Sequence, residues 1–253
     1  MAQAQMKKNP NHVRITIDGQ EYRLTLTPVK KRPPVTHIGL VLDGSGSMTD
    51  TAKEVVSGVN KYLETLRSDD VDDAFVTISA FGSDSRLIVS NEHIDKVADV
   101  QLDEYYDGGM TALNDSVMEV IDSIAENFAS GDKVFISVYT DGHENASKRY
   151  YGVGNPDVKE RIKNLVKDGW IFVFNGADMT DQQASSMANT YGISLDFATG
   201  FSKKDTQKLY SGSGTYTHAV RTGTLQNTPT YVKTISGTVN GISGFRGPLE
   251  NSN

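Results

Sequence analysis

Hydrophobic positions from residue 35 onward follow two alternating patterns, which predict the fold class. Val35 to Leu42 is an apolar, β-branched run bounded by turn-forming residues, which is typical of a buried parallel strand. Apolar residues at helical spacing then mark amphipathic helices between such runs. The expected strands cover residues 35–42, 74–81, 86–89, 134–140, 170–174 and 195–198, and the expected helices cover 53–67, 112–128, 156–168 and 180–191. This order predicts an α/β fold with a doubly wound, mostly parallel sheet flanked by helices, and with 86–89 as an antiparallel edge strand.

The N-terminal region carries a different pattern, with apolar residues at every second position on both sides of Asp18-Gly19. This dipeptide favours a two-residue type I′ turn, so the segment predicts a β-hairpin. Pairing Ile17 with Gln20 places Ile15 opposite Tyr22 on one face. Residues 30–34, Lys-Lys-Arg-Pro-Pro, then predict a stiff basic connector.

The C-terminal region has a weaker pattern. Helical spacing over 202–220 is interrupted by Gly212 and Gly214, so the sequence predicts a flexible turn at 211–214. Residues after 222 are rich in Gly, Thr and Ser, and 231–235 is strand-like, which makes this segment a candidate C-terminal β appendage. The expected organisation is a tail, hairpin and connector over 1–34, an α/β domain over 35–221 and a C-terminal tail over 222–253.

Composition narrows the function classes. The 253 residues carry a net charge of −7, which argues against nucleic-acid binding through the phosphate backbone. The absence of cysteine excludes disulfides, thiolate nucleophiles and cysteine-ligated zinc. No segment approaches the roughly 18 apolar residues of a membrane span, and the polar start lacks a signal-peptide core. We therefore expect no membrane association and a cytoplasmic location, with a virion as the alternative.

Five oxygen-bearing side chains follow predicted strands or open a predicted helix. Asp43, Ser45 and Ser47 form the run Asp-Gly-Ser-Gly-Ser after the first strand, Thr111 follows Gly-Gly-Met, and Asp141 ends the strand 134–140. Ligands bind at the carboxyl ends of strands in open α/β sheets. Three hydroxyls and two carboxylates suit a hard divalent cation, so we expect Mg²⁺, with Mn²⁺ or Ca²⁺ as alternatives. The hydroxyls would ligate directly, and the carboxylates would hold coordinated water.

A simpler interpretation of the same loop is helix capping, since Ser and Asp satisfy the free amides at a helix start. Thr111 is also a candidate N-cap for the helix that follows it. All five residues lie at the end of a predicted strand or at the start of a predicted helix, and this combination favours the metal site.

These five positions resemble the metal-ion-dependent adhesion site (MIDAS) of the von Willebrand factor A (VWA) domain family, which combines a DxSxS loop with a distal Thr and a distal Asp. The resemblance covers roughly 35–218. Phe81-Gly82, Glu144-Asn145 and Asn175 to Asp178 resemble the soluble bacterial and phage-encoded branch. The resemblance to the VWA family implies a Rossmann-like fold. It also implies a non-enzymatic module that binds a partner protein through the metal, commonly through an Asp or Glu carboxylate of the partner. AAA+ ATPases and assembly or virion proteins are the partner classes that it suggests.

Two other functions stay open. One is a structural or assembly component, for example a virion-associated protein, that makes its contacts through the β appendages. The other is a metal-dependent hydrolase, but no predicted strand ends in a P-loop or in a D-x-D nucleophile pattern, and the histidines form no HExxH.

A rim around the site is expected to contact the partner. Its candidate residues are Tyr105, Tyr106, His143, Glu144 and Asp178. Aromatic residues often anchor interfaces, although the tyrosines could equally pack under the loop. His143 and Glu144 are otherwise expected to form a solvated pair in the loop after Asp141.

Overall fold

The computed structural model describes residues 12–18, 20–25, 32–69 and 71–224. The chain divides into two compact units between Pro33 and Pro34. The predicted C-terminal β appendage lies outside the described residues. Among the described helices, none combines the length and the apolar character that a membrane crossing requires.

The N-terminal unit contains the predicted hairpin. Strands β1 (His12–Ile17) and β2 (Gln20–Thr25) pair antiparallel, with Ile17 opposite Gln20 and Ile15 opposite Tyr22. Asp18 has a φ of 50°, the left-handed conformation that a type I′ turn requires. The predicted register is therefore confirmed.

The larger unit is built on a six-stranded sheet with the order β5-β4-β3-β6-β7-β8. Every neighbouring pair is parallel except β4 and β5, so the predicted antiparallel edge strand is confirmed. The strands are β3 (Thr36–Asp43), β4 (Ala74–Phe81), β5 (Ser85–His93), β6 (Lys133–Thr140), β7 (Ile171–Ala177) and β8 (Ala198–Phe201).

Helices cover both faces of this sheet. They are α1 (Ala52–Arg67), α2 (Leu102–Tyr105), α3 (Leu113–Ala125), α4 (Pro156–Lys167), α5 (Asp181–Thr190) and α6 (Thr206–Thr222). Ile38, Leu40 and Leu42 of β3 pack in a core with α1 and α6, while Val41 packs in a second core with α3, α4 and α5. Alternate side chains of β3 thus pack on opposite faces of the sheet, as expected for a doubly wound fold.

The region after β7 differs from the prediction in two places. The strand expected at 195–198 begins only at Ala198, because residues Leu195–Phe197 form a short 3₁₀ turn capped by Ser194. The flexible turn expected at 211–214 is wrong, since Gly212 and Gly214 both lie inside the continuous helix α6.

Packing against α1 explains why α6 tolerates its glycines. Gly212 and Gly214 are buried, and a methyl group at Gly214 would meet the Thr65 side chain at 3.4 Å. The Tyr62 hydroxyl lies 2.8 Å from the Thr217 hydroxyl across the same interface. Burial of α6 against α1 therefore outweighs the intrinsic cost of glycine in a helix.

A buried arginine fixes the end of α6. Arg221 donates from Nε to Asp72 at 2.8 Å and from Nη1 to the Leu66 carbonyl at 3.2 Å, and its Nη1 lies 3.3 Å from Asp69. Its side chain is 1% exposed. Loss of this guanidinium would remove the cation paired with Asp72, whereas Asp69 also lies 2.7 Å from His218.

We expect Arg221→Ala to lower the free energy of unfolding by about 3 kcal/mol, as breaking one side of a buried ion pair usually does. Urea denaturation followed by circular dichroism measures the loss. Lys61→Ala is the control, because the Lys61–Glu64 pair is exposed and such pairs contribute less than about 1 kcal/mol. Equal losses in the two variants would contradict the proposed importance of the buried pair.

Candidate metal-ion site

Two serine hydroxyls and one carboxylate lie together at the carboxyl edge of the sheet. The Ser47 hydroxyl donates to Asp141 Oδ1 at 2.6 Å, and the Ser45 and Ser47 hydroxyl oxygens are 3.1 Å apart. The parallel pairing of β3 with β6 brings the two loops to the same edge. Residues separated by 94 positions in the sequence thus form one contiguous set of oxygen atoms.

Thr111 joins this set from the segment that precedes α3. Its backbone N–H donates to Asn145 Oδ1 at 2.8 Å, and its carbonyl accepts from the Asn145 N–H at 3.0 Å. A methyl group built on Gly142 would lie 3.5 Å from the Thr111 hydroxyl oxygen, which places that hydroxyl beside the turn after Asp141. Thr111 therefore lies next to the turn that follows Asp141.

Asp43 lies beneath these hydroxyls and is buried, with 1% exposure. Its Oδ1 accepts from the Ser45 N–H at 2.9 Å, and its Oδ2 accepts from the Thr140 hydroxyl at 2.5 Å. Burial raises the pKa of the Asp43 carboxyl above its ordinary value, and the hydrogen bonds from Ser45 and Thr140 act in the opposite direction. A cation nearby would favour the charged form further.

Glycine at position 44 allows the loop after α2 to cross the loop after β3. A methyl group there would lie 2.2 Å from the Tyr105 carbonyl oxygen, closer than any contact allows. The Gly44 carbonyl in turn accepts from the Gly108 N–H at 2.9 Å. Gly44 is therefore required by close backbone approach in addition to any role in ligand binding.

The geometry of the hydroxyls fits a small divalent cation. Adjacent ligands of an octahedral Mg²⁺ at 2.0–2.1 Å are about 2.9 Å apart, close to the 3.1 Å between the Ser45 and Ser47 oxygens. The Ser47 hydroxyl gives its hydrogen to Asp141, which leaves its lone pairs for a metal. No group of three His, Asp or Glu side chains suited to a metal occurs within the described residues, so such a site would depend on hydroxyls.

Two of the predicted rim residues are not at the surface. Tyr105 is fully buried and its hydroxyl donates to the Asp43 carbonyl. Glu144 is 3% exposed and accepts from the Asn114 and Ser147 N–H groups at 2.8 and 2.7 Å. The rim prediction is wrong for both residues, because each is buried and forms hydrogen bonds to the backbone of a loop. The alternative, that Glu144 is solvated, is wrong for the same reason.

The other three predicted rim residues keep some exposure. Tyr106 is half-buried, with its hydroxyl 2.7 Å from the Thr49 hydroxyl, whereas His143 and Asp178 are exposed. His143, Asp178 and Asp141 border a groove of about 390 Å³. The rest of its lining is contributed by Met179, Gln183, Ser186, Met187 and Thr190. Because Asp141 borders the groove, a partner bound at the site would lie next to it.

Lys203 is a site residue that the sequence analysis missed. Its Nζ donates to Asp141 Oδ2 at 2.6 Å and to the Ser47 carbonyl at 2.9 Å. The sequence analysis ended the last strand at residue 198, too early to place Lys203 near the site. The observed β8 ends at Phe201, so Lys203 lies two residues beyond the strand end. Correct strand bounds would have placed it at the same edge as the other site residues.

Residues 37–213, more than half of the chain, match the family described as the von Willebrand factor type A domain. This chain belongs to the VWA family. The match includes Asp43, Ser45, Ser47, Thr111 and Asp141. No curated protein matches the sequence.

Several solved structures share the fold at low sequence identity. The pilus adhesin SpaC from Lactobacillus rhamnosus GG has 15% identity and a TM-score of 0.57, over 74% of this chain and 30% of that one. Proximal thread matrix protein 1 from the mussel byssus, solved with a zinc-occupied MIDAS, has 15% identity and a TM-score of 0.50, over 73% and 46%. A von Willebrand factor type A protein from Catenulispora acidiphila has 13% identity and a TM-score of 0.50, over 80% and 45%. The match spans less than half of each neighbour, and it supports the fold alone.

The loop after β6 in this VWA domain is fixed by two buried acidic residues, Asp115 of α3 and Glu144 within the loop itself. Asp115 accepts from the Lys148 N–H at 2.8 Å and the Tyr150 N–H at 3.0 Å. Glu144 accepts from Ala146 N–H at 2.9 Å. Buried carboxylates that accept several backbone N–H groups act as rigid braces, so this loop holds Asp141 in a fixed position.

We expect Glu144→Gln to lower the free energy of unfolding by about 2 kcal/mol, because the amide NH₂ would face buried N–H donors. Chemical denaturation measures the change, and amide hydrogen exchange over 142–150 reports the loosened loop. Glu126→Gln, at an exposed position, is the control. A Glu144 variant as stable as this control would show that the brace contributes little.

Proposed function

We propose that this VWA protein is a divalent-metal-dependent protein-interaction module. Ser45, Ser47 and Thr111 would ligate the ion through their hydroxyl oxygens. Asp43 and Asp141 would accept hydrogen bonds from water molecules bound to the ion. The observation that carries the proposal is the Ser45–Ser47–Asp141 array, with oxygen separations of 3.1 and 2.6 Å. A carboxylate from the partner would complete the coordination.

The character of the ligands supports binding to an acidic group. Hydroxyls are neutral, so an ion that they hold keeps most of its charge and attracts an anion. The carboxylate oxygens of Asp43 both accept hydrogen bonds from Ser45 and Thr140, which keeps this acid in a supporting position. The partner class that we propose is therefore a protein with an exposed Asp or Glu.

Proteins that share this fold include adhesive and matrix proteins, in keeping with the proposed binding role. A pilus adhesin and a byssus matrix protein are among them, and the latter has been solved with zinc in its MIDAS. We propose Mg²⁺ for this chain, since small hard cations prefer oxygen ligands and retained water. An AAA+ ATPase and an assembly or virion protein remain the partner candidates, and cytoplasm or virion the proposed locations.

A binding role is favoured over hydrolysis by the state of the acids. All four carboxylate oxygens of Asp43 and Asp141 already accept hydrogen bonds. These hydrogen bonds come from the protein itself and hold both acids in place as supports for the hydroxyls, whereas a general base is directed at a substrate or at the attacking water. We therefore propose that the protein is not an enzyme.

Thr111→Val should weaken metal binding with little effect on folding, because it removes one oxygen and keeps the side-chain volume. We expect the Mg²⁺ affinity to fall by about tenfold or more, measured by isothermal titration calorimetry on metal-stripped protein. Thr215→Val on the exposed side of α6 is the matched control. Unchanged affinity in Thr111→Val would overturn the assignment of this hydroxyl as a ligand.

Partner capture from the native host's lysate should require the metal. We expect the bound protein to be lost with EDTA and with Thr111→Val, and to remain with Thr215→Val in magnesium. A partner retained under EDTA would contradict the proposal. Deletion of residues 1–33, the separate N-terminal unit, would then test whether the hairpin makes the contact.

A further inference from the structure

The ammonium group of Lys203 lies within the proposed metal site. Its Nζ is 2.6 Å from Asp141 Oδ2 and 2.9 Å from the carbonyl of Ser47. The side chain is 18% exposed, and that of Asp141 is 6% exposed. A cation that belongs to the chain therefore already contacts the carboxylate that would support the metal.

Local structure fixes the direction of this lysine. Its backbone N–H donates to Asp178 Oδ1 at 2.9 Å, and its carbonyl accepts from the Thr206 hydroxyl at 2.6 Å. Asp178 has a φ of 52° and donates its own N–H to the Phe201 carbonyl at 2.6 Å. The backbone on both sides of Lys203 is thus held, which aims its side chain at Asp141.

A metal ion and this ammonium group compete for the same oxygen atom. Asp141 Oδ1 accepts from Ser47, and Lys203 Nζ lies 2.6 Å from Oδ2, so a metal-bound water held by Oδ2 would lie beside the ammonium group. A dication and an ammonium within a few ångströms also repel each other strongly in a partly buried site. A metal held through Asp141 therefore disfavours the ammonium group at its present position.

We propose that Lys203 is an internal cation that competes with the divalent metal for Asp141 and thereby sets the metal affinity of the site. On metal binding the ammonium group moves toward Asp178, whose Oδ2 is 3.9 Å from Nζ in the present arrangement. This inference rests on the proposed function. It makes Lys203 a residue that determines how much metal is needed before a partner can bind.

A structural role for the lysine predicts the opposite result. If Lys203 only stapled the loops around Asp141, removal of its charge would leave the site looser, and metal binding would stay the same or weaken. If it competes, removal of its charge frees Asp141 Oδ2, and metal binding strengthens. The direction of the change separates the two roles.

The test is Mn²⁺ binding to the metal-stripped full chain, measured by calorimetry and by the loss of the free-ion electron paramagnetic resonance signal. We expect Lys203→Met, which keeps the apolar stem, to bind about tenfold more tightly than wild type. Lys204→Met is the matched control, because Lys204 is exposed on the same turn. Its affinity should equal that of wild type.

Thermal unfolding gives a second readout. Without metal, Lys203→Met should melt below wild type, because the Asp141 carboxylate loses its counter-ion, and Mn²⁺ should raise its Tm by more than it raises that of wild type. Lys203→Gln replaces the methionine variant if the latter does not fold. Tm shifts of equal size in wild type and in the Lys203 variant would count against competition.

Failure of this inference and failure of the proposed function give different results. Equal or weaker Mn²⁺ binding by a folded Lys203 variant, with binding by wild type, would overturn the competition and leave the metal site intact. Absence of Mn²⁺ binding in wild type, the Lys203 variant and Lys204→Met alike would overturn both.

Discussion

The burial of the Asp43 carboxylate is the constraint on which the site depends. A charged group removed from water must be satisfied by hydrogen bonds, and Asp43 takes them from Ser45 in its own loop and from Thr140 at the end of β6. Its backbone carbonyl accepts a further hydrogen bond from the hydroxyl of Tyr105, the last residue of α2. Three loops that are distant in the sequence are therefore fixed at one edge of the sheet.

The position of Lys203 follows from packing on the other side of the molecule. Lys203 begins the short turn that leads into α6, and α6 is fixed along α1 by the Tyr62–Thr217 contact and by buried Arg221. Anchoring of the helix limits where the connection from β8 can run. A core interaction thus helps to bring a cation to the candidate site.

The candidate site combines neutral hydroxyls with acids whose oxygens are already engaged. Such a set holds a cation without neutralising it, which suits attraction of an acidic partner more than catalysis of a reaction. The ammonium group on Asp141 gives this VWA domain a cation of its own at the same place. Under the proposed competition, metal binding and partner binding both depend on the position of the Lys203 side chain.

The sequence by itself determined the fold class, the hairpin register and the identity of the five oxygen-bearing residues, because each depends on local patterns. Alternation along β3 and the Asp18-Gly19 turn are encoded by neighbours in the chain, and parallel strand ends necessarily share an edge. Tertiary structure decided the rest. Burial moved Tyr105 and Glu144 from the rim into the interior, helix packing kept α6 continuous through Gly212 and Gly214, and the true end of β8 brought Lys203 to Asp141. These outcomes depend on contacts between residues far apart in the sequence, which no local pattern records.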